Sequence, residues 1–258
     1  MRKLLLMAAV VLCMAVPSFA ALHIGVNGGY SYSSLDSLNT YWEKVKTDAA
    51  ANTFGAGANW KGYSNGVFGN IDADINLNQN ILLGVRTGLQ YIFPSTYTGA
   101  RLINLPPLLW VPTETSIDNF LIPMMAGLSL YLPLGDKDAT VALTVGAYGG
   151  YGLAYCAQNT RYNGSSPFLA LYGGNGFMAD ISGAIELKLL PFFTISLNGG
   201  YRMANMSNFK NVKSISAIIP GYGLYTIPSN DPFNDNSGKP VNVDFSGINI
   251  GAGVNLRF

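Results

Sequence analysis

The chain is poor in the residues on which most catalytic chemistry depends. It holds one histidine, His23, and two cysteines, Cys13 and Cys156, in 258 residues. No His/Cys cluster exists to bind a transition metal, and a hydrolase built on histidine has a single candidate in the whole chain. Charged side chains make up 11% of the total, against roughly 25% in soluble domains. That leaves no basic footprint for nucleic acid. Beyond the N-terminal twenty residues, no apolar stretch reaches the ~18 residues that a membrane-spanning helix needs.

What is abundant is apolar or small. Hydrophobic residues are 49% of the chain and glycines number 30. Part of this lies in residues 1–20. Arg2 and Lys3 give a positive start, and Leu4 to Val16 is an apolar run too short to span a bilayer. Ser18 and Ala20 are the small residues a signal peptidase reads. The spacing predicts an export signal cleaved after Ala20 and a mature chain over 21–258. Leu12, ahead of Cys13, is too large for lipoprotein processing. Losing Arg2 and Lys3 takes the formal charge from +1 to about −1. Cys156 then stands alone, so no intramolecular disulfide is expected, and it reads as a packed thiol at a strand end.

The last twelve residues, Gly247 to Phe258, alternate without a break. Ile248, Ile250, Ala252, Val254, Leu256 and Phe258 fall on one face, and Gly247, Asn249, Gly251, Gly253, Asn255 and Arg257 on the other. A period of two marks a β-strand with one apolar face. Seven upstream segments share it, with apolar rows beginning at Leu22, Val67, Leu83, Phe120, Val141, Ile181 and Phe193. The opposite rows are polar or glycine. A lipocalin-type soluble barrel would turn that glycine-rich, charge-poor face to water, where it makes a poor surface. In lipid, the apolar row faces out and the small or polar row faces the lumen.

The spacing therefore predicts an all-β, eight-stranded antiparallel up-and-down transmembrane barrel. Short turns at 78–80, 134–138 and 190–192 alternate with long extracellular loops at about 33–62, 94–116, 156–176 and 204–240. Both termini fall on the periplasmic side, and the last strand pairs with the first to close the wall. Aromatics such as Tyr30, Tyr32, Tyr91, Phe93, Tyr151, Tyr155, Phe193, Tyr201 and Phe258 sit near strand ends, where interfacial girdles belong. Within the first loop, 37–51 reads as a short helix capped by Ser37, with Leu38, Tyr41, Trp42 and Val45 on one face. The fourth loop holds two apolar segments, 215–219 and 222–227, expected as a hairpin above the membrane.

In this layout the chain resembles the small outer-membrane β-barrel proteins, the OmpA/OmpX-like and opacity-like group. The most specific piece is Gly253-Val254-Asn255-Leu256-Arg257-Phe258. It is similar to the C-terminal signal read by the barrel-assembly machinery, with Gly253, Leu256 and Phe258 at the characteristic places. Gly251 departs from that pattern, where the family carries a polar side chain. Phe120-Leu121-Ile122-Pro123 is similar to a strand-opening segment of many such barrels. The resemblance implies assembly into the outer membrane, with membrane lipid and that machinery as partners, and names no activity.

By phase, Asp72, Asp74, Arg86, Asp180, Glu186, Lys188, Arg202 and Arg257 face the lumen. Buried there, they must pair or meet water. Read as structure, they form a salt-bridge network that fills the barrel. Read as a device, alternative pairings open a narrow path. Trp42 with Leu108, Leu109 and Trp110 of the apolar second loop could line a mouth pocket for a hydrophobic ligand, as in channels of the OmpW kind, or pack together to stiffen the rim. His23 falls at the periplasmic end, away from the loops. The expectation is a monomeric, non-enzymatic barrel without metal or cofactor, acting structurally or through its long loops. A narrow channel for small or apolar solutes is the alternative, and a loop-based enzyme the third reading.

Overall fold

The computed structural model describes residues 22–51, 58–103, 109–135, 140–162, 168–219, 223–234 and 238–258. The expected export signal, its cleavage site and Cys13 lie outside them, as does Leu108. In chain order the elements are β1 (Leu22–Ser33), α1 (Asp36–Ala51), β2 (Asn59–Trp60), β3 (Asn65–Asn76), β4 (Ile81–Ile103), β5 (Leu109–Pro133) and β6 (Val141–Tyr162). They continue with β7 (Phe168–Leu190), β8 (Phe193–Asn211), β9 (Ile215–Ile219), β10 (Gly223–Ile227), β11 (Val243–Asp244) and β12 (Gly247–Arg257).

Eight of these strands close a ring in the order β1-β3-β4-β5-β6-β7-β8-β12, each antiparallel to its neighbours. The seam is the expected one. β12 runs against β1 from His23↔Arg257 to Ser33↔Gly247, and Leu22 and Phe258 exchange backbone hydrogen bonds of 3.1 and 2.9 Å beyond it. No edge strand is left in the ring, which is what hydrocarbon demands of a β-structure. Outward side chains such as Val26, Ile71, Val85, Leu128, Ile181, Leu197 and Ile250 are exposed right round the wall. Tyr30, Tyr32, Phe93, Tyr151 and Tyr201 form an outer aromatic band, with Phe192 and Phe258 at the inner end.

The wall is lopsided, which the loop boundaries read from sequence miss. β1, β3 and β12 have 11 or 12 residues, whereas β4 to β8 have 19 to 25. At ~3.3 Å per residue and a tilt near 40°, that is about 30 Å against 50–60 Å of height. Much of the expected loops at 94–116, 156–176 and 204–240 is strand standing above the bilayer. The cause is a reversal of the apolar face. Once the outer surface meets water, the apolar residues turn inward: Ile117 and Leu121 are buried, while Glu114 and Ser116 point out. On β8, Asn208 adopts a left-handed φ of 57°. That bulge shifts the phase so that both Met206 and Phe209 face in.

The low side is filled by α1, which starts one residue before the expected boundary. Leu35, at φ 43°, leads into it, and its carbonyl accepts the Asn39 amide at 2.9 Å. Ser37 is thus inside the first turn and does not cap it. Asn39 fastens the helix to the chain before β3: its side chain donates to Tyr63 O at 3.1 Å and accepts from Tyr63 N at 2.9 Å. The 215–227 region forms its own two-stranded sheet of β9 and β10. Its base is tied by Asn211, which donates to the carbonyls of Lys213, Ile227 and Pro228. Tyr222 lies outside the described residues.

Candidate functional site: a bridged lumen beneath a packed mouth

The inward face of the wall changes character with height. At the periplasmic end Arg257, on β12, reaches across the ring. It donates to Glu186 Oε2 at 2.5 Å and to the Tyr131 hydroxyl at 2.8 Å, with the guanidinium 4.4 Å from the Tyr131 ring centre. β5, which carries Tyr131, is diametrically opposite β12 in the ring order. Thr144 donates to the other Glu186 oxygen at 2.6 Å. This is a belt of side chains spanning the lumen.

A second belt lies higher. Arg86 donates to Asp72 at 2.6 Å, to Asp180 at 2.9 Å and to Ser182 at 3.1 Å, and its guanidinium sits 4.1 Å from the Tyr148 ring centre. Asn27 donates to the other Asp72 oxygen. Arg202 packs against Asp180 at 3.5 Å and donates to Gln90 at 2.9 Å, and Gln90 donates to Ser33 at 2.8 Å. β8 and β4, which carry Arg202 and Gln90, are also opposite one another. Five strands, β1, β3, β4, β7 and β8, are thereby tied together across the bore.

Glycine makes the room these groups occupy. A Cβ at Gly127 would strike the Ala147 carbonyl and the Tyr148 ring, which lies over it. Between the two belts remains a polar cavity of about 80 Å³, lined by Asn70, Asp72, Arg86, Asp180, Glu186 and Ser196 among others. That is room for a few water molecules, at the ~10–15 Å³ needed for each. Asn70 Oδ1 and Ser196 Oγ, both buried, have no protein partner.

Of the eight ionisable residues assigned to the lumen, six fall into these two groups: Asp72, Arg86, Asp180 and Arg202 above, Glu186 and Arg257 below. Asp74 and Lys188 join neither through an ion pair. His23 is buried at the periplasmic end, opposite Arg257 and Asp74 in the ladders. Gln90, Tyr131 and Ser33 complete the belts without having been singled out. Their inward phase was readable, but their cross-ring partners were not.

Above Arg202 the bore becomes a hydrophobic core. Leu121, Met178, Met206 and Ile92 meet α1 and the segment around Phe233, all fully or nearly fully buried. Trp42 stacks on Trp60 with ring centres 5.5 Å apart and touches Tyr97 at 5.2 Å. Tyr41 meets Phe233 edge-on at 5.4 Å, and Phe233 stacks on Tyr172 of the far wall at 4.8 Å. Trp42, which the sequence left open between lining a mouth pocket and packing to stiffen the rim, is entirely enclosed. Leu109 and Trp110 hold strand positions opposite Ile103 and Leu102. Burial holds the Tyr63 phenol well above its ordinary value, so it stays neutral within the core.

Cys156 belongs to this core and is 2% exposed. In the folded protein its peptide should remain unmodified by a maleimide, as read by mass spectrometry, and react fully once the cap is unfolded. Rapid labelling of the native chain would show that the core opens.

The family model for the outer membrane protein beta-barrel domain matches residues 6–258. No curated protein sequence matches. Among solved structures, the chain is similar to the Neisserial surface protein A at 12% identity, covering 93% of this chain and 96% of that one, with a TM-score of 0.36. It is similar to the outer membrane protease OmpT of Escherichia coli at 10% identity, covering 94% and 98%, with a TM-score of 0.43. The outer membrane protein OprG of Pseudomonas aeruginosa matches at 15% identity over 92% and 95%, with a TM-score of 0.37.

Proposed function

Because the chain belongs to the outer membrane β-barrel domain family, we propose that it is a closed, non-enzymatic barrel that works through the folded surface it raises above the outer membrane. The observation that carries this reading is the double closure. Two belts of paired side chains cross the lumen, and a packed aromatic core fills the mouth above them. A solute would have to break both. A fixed cap at the end of a tall wall suits surface contact, where a preformed face loses little entropy on binding. The β9–β10 hairpin supplies an apolar spot in water: Ile218 and Leu224 face each other across it and are 74% and 66% exposed.

Two measurements test the reading together. Proteoliposomes carrying the protein should swell no faster in arabinose or glycine than empty vesicles. Cells displaying it should adhere to at least one member of a panel of immobilised matrix proteins and glycans. That adherence should fall at least fivefold for Ile218→Ser with Leu224→Ser at equal surface amount. Swelling would replace this reading with a solute channel, and adherence indifferent to the double substitution would remove the hairpin from it.

A further inference from the structure

The lipid-facing wall is uneven beside Pro123. The β4–β5 ladder runs from Ile81↔Leu130 to Thr87↔Met124 and resumes at Gln90↔Leu121, skipping Gly88 and Leu89 opposite Pro123 and Ile122. Pro123 has no N–H to contribute. Its carbonyl is met by the Thr87 hydroxyl, donating at 2.9 Å. In hydrocarbon an unmet backbone group costs several kcal/mol, so this substitution by a side chain matters.

Beside the gap the outer surface carries a depression of about 660 Å³. Its cause is a row of small side chains. Ala73, Val85, Ala126 and Gly149 are successive partners across β3, β4, β5 and β6. The neighbouring row, Met124, Tyr151 and Phe177, is bulky and forms a ledge along it. Phe177 stands 72% exposed. The floor is thin enough for Arg86 and Met125, which face the lumen, to contribute to it. Three steps between strands at ~4.8 Å make the trough about 14 Å long. Ala126 lies midway between Phe120 at the outer girdle and Leu132 near the inner edge, so the trough starts near the middle of the apolar band.

We propose that this trough seats one hydrocarbon chain of an outer-membrane lipid, which covers the break in the ladder at Pro123. The occupant follows from position. The trough is continuous with the lipid-contact surface and lies at a depth where hydrocarbon is the solvent. Its lining offers shape for a single flexible chain and a ledge to hold it. A chain lying there keeps water from the unpaired segment at Gly88 and from the Arg86 guanidinium behind it.

The test is native mass spectrometry of the barrel extracted from membranes in mild detergent. One lipid should remain bound at an activation energy that strips the others. Gly149→Leu fills the trough, and its Cβ finds nothing nearer than 3.8 Å. The single-lipid adduct should fall at least tenfold in that variant and in Ala126→Phe. It should stay unchanged in Val254→Phe, which adds bulk on the opposite wall. Heat-dependent gel migration confirms that each variant is folded. No retained lipid in the wild type, an equal loss in Val254→Phe, or a dimer of barrels that Gly149→Leu dissolves would each overturn the proposal.

Discussion

Replacing Arg86 with methionine is expected to destabilise the barrel by about 3–5 kcal/mol, the range for removing one partner of a buried ion pair. The size follows from what Arg86 touches. Among the described residues it is the one cation paired with both Asp72 and Asp180, and Arg202 stands against Asp180 at a looser 3.5 Å. The variant leaves the Asp72 carboxylate enclosed with Asn27 as its remaining donor. The wall strands themselves lose nothing, since Arg86 contributes no ladder bond through its side chain. Urea unfolding of refolded protein, followed by heat-dependent migration, measures the shift. Replacing Asp72 with asparagine in the Arg86→Met background should recover part of the loss, because the uncompensated charge is then gone. A single variant as stable as the wild type would mean that water, not Arg86, carries the Asp72 and Asp180 charges.

Trp42→Ala is expected to remove about 3–5 kcal/mol from the cap, the usual cost of emptying a buried aromatic site. The effect should be local. Trp42 touches Tyr41, Trp60 and Tyr97, all above the membrane, while the lumen belts and the β1–β12 seam lie below. Protease cleavage within 36–64 should accelerate at least tenfold, with the barrel still migrating as a folded species on a gel. Loss of the barrel together with the cap would show that the two layers fold as one unit.

The lipid-facing band was legible because it is a local pattern. The run from Gly247 to Phe258 and the rows at Leu83, Val141 and Phe193 each carry the period of two within a single strand. The same phase placed Arg86, Asp180 and Arg202 inside. Their pairing was not legible, because it depends on ring order and register. Arg86 meets Asp180 from three strands away and Arg202 meets Gln90 across the full diameter. Lys188 shows the limit of phase alone: it faces inward by position, yet lies half-buried outside the belts. The tall wall left a signal that apolar-out reading passes over. Ile117 and Leu121 alternate with Ser116 and Asp118 in a soluble sense, with the apolar residues turned in. The amphipathic stripe of α1 was readable through Leu38, Tyr41, Trp42 and Val45. Its destination was not, since only the difference in height between β1, β3, β12 and the other strands makes a place for it inside the ring.

Closure of the bore is the claim on which the rest depends, and ionic current through a planar bilayer measures it most directly. With refolded protein incorporated at known density in 1 M KCl, the trace should stay at the baseline of the protein-free membrane, for the wild type and for Trp42→Ala alike, because the Arg86 and Arg257 belts remain when the cap is loosened. Stable, stepwise conductance from the wild-type protein would contradict the account.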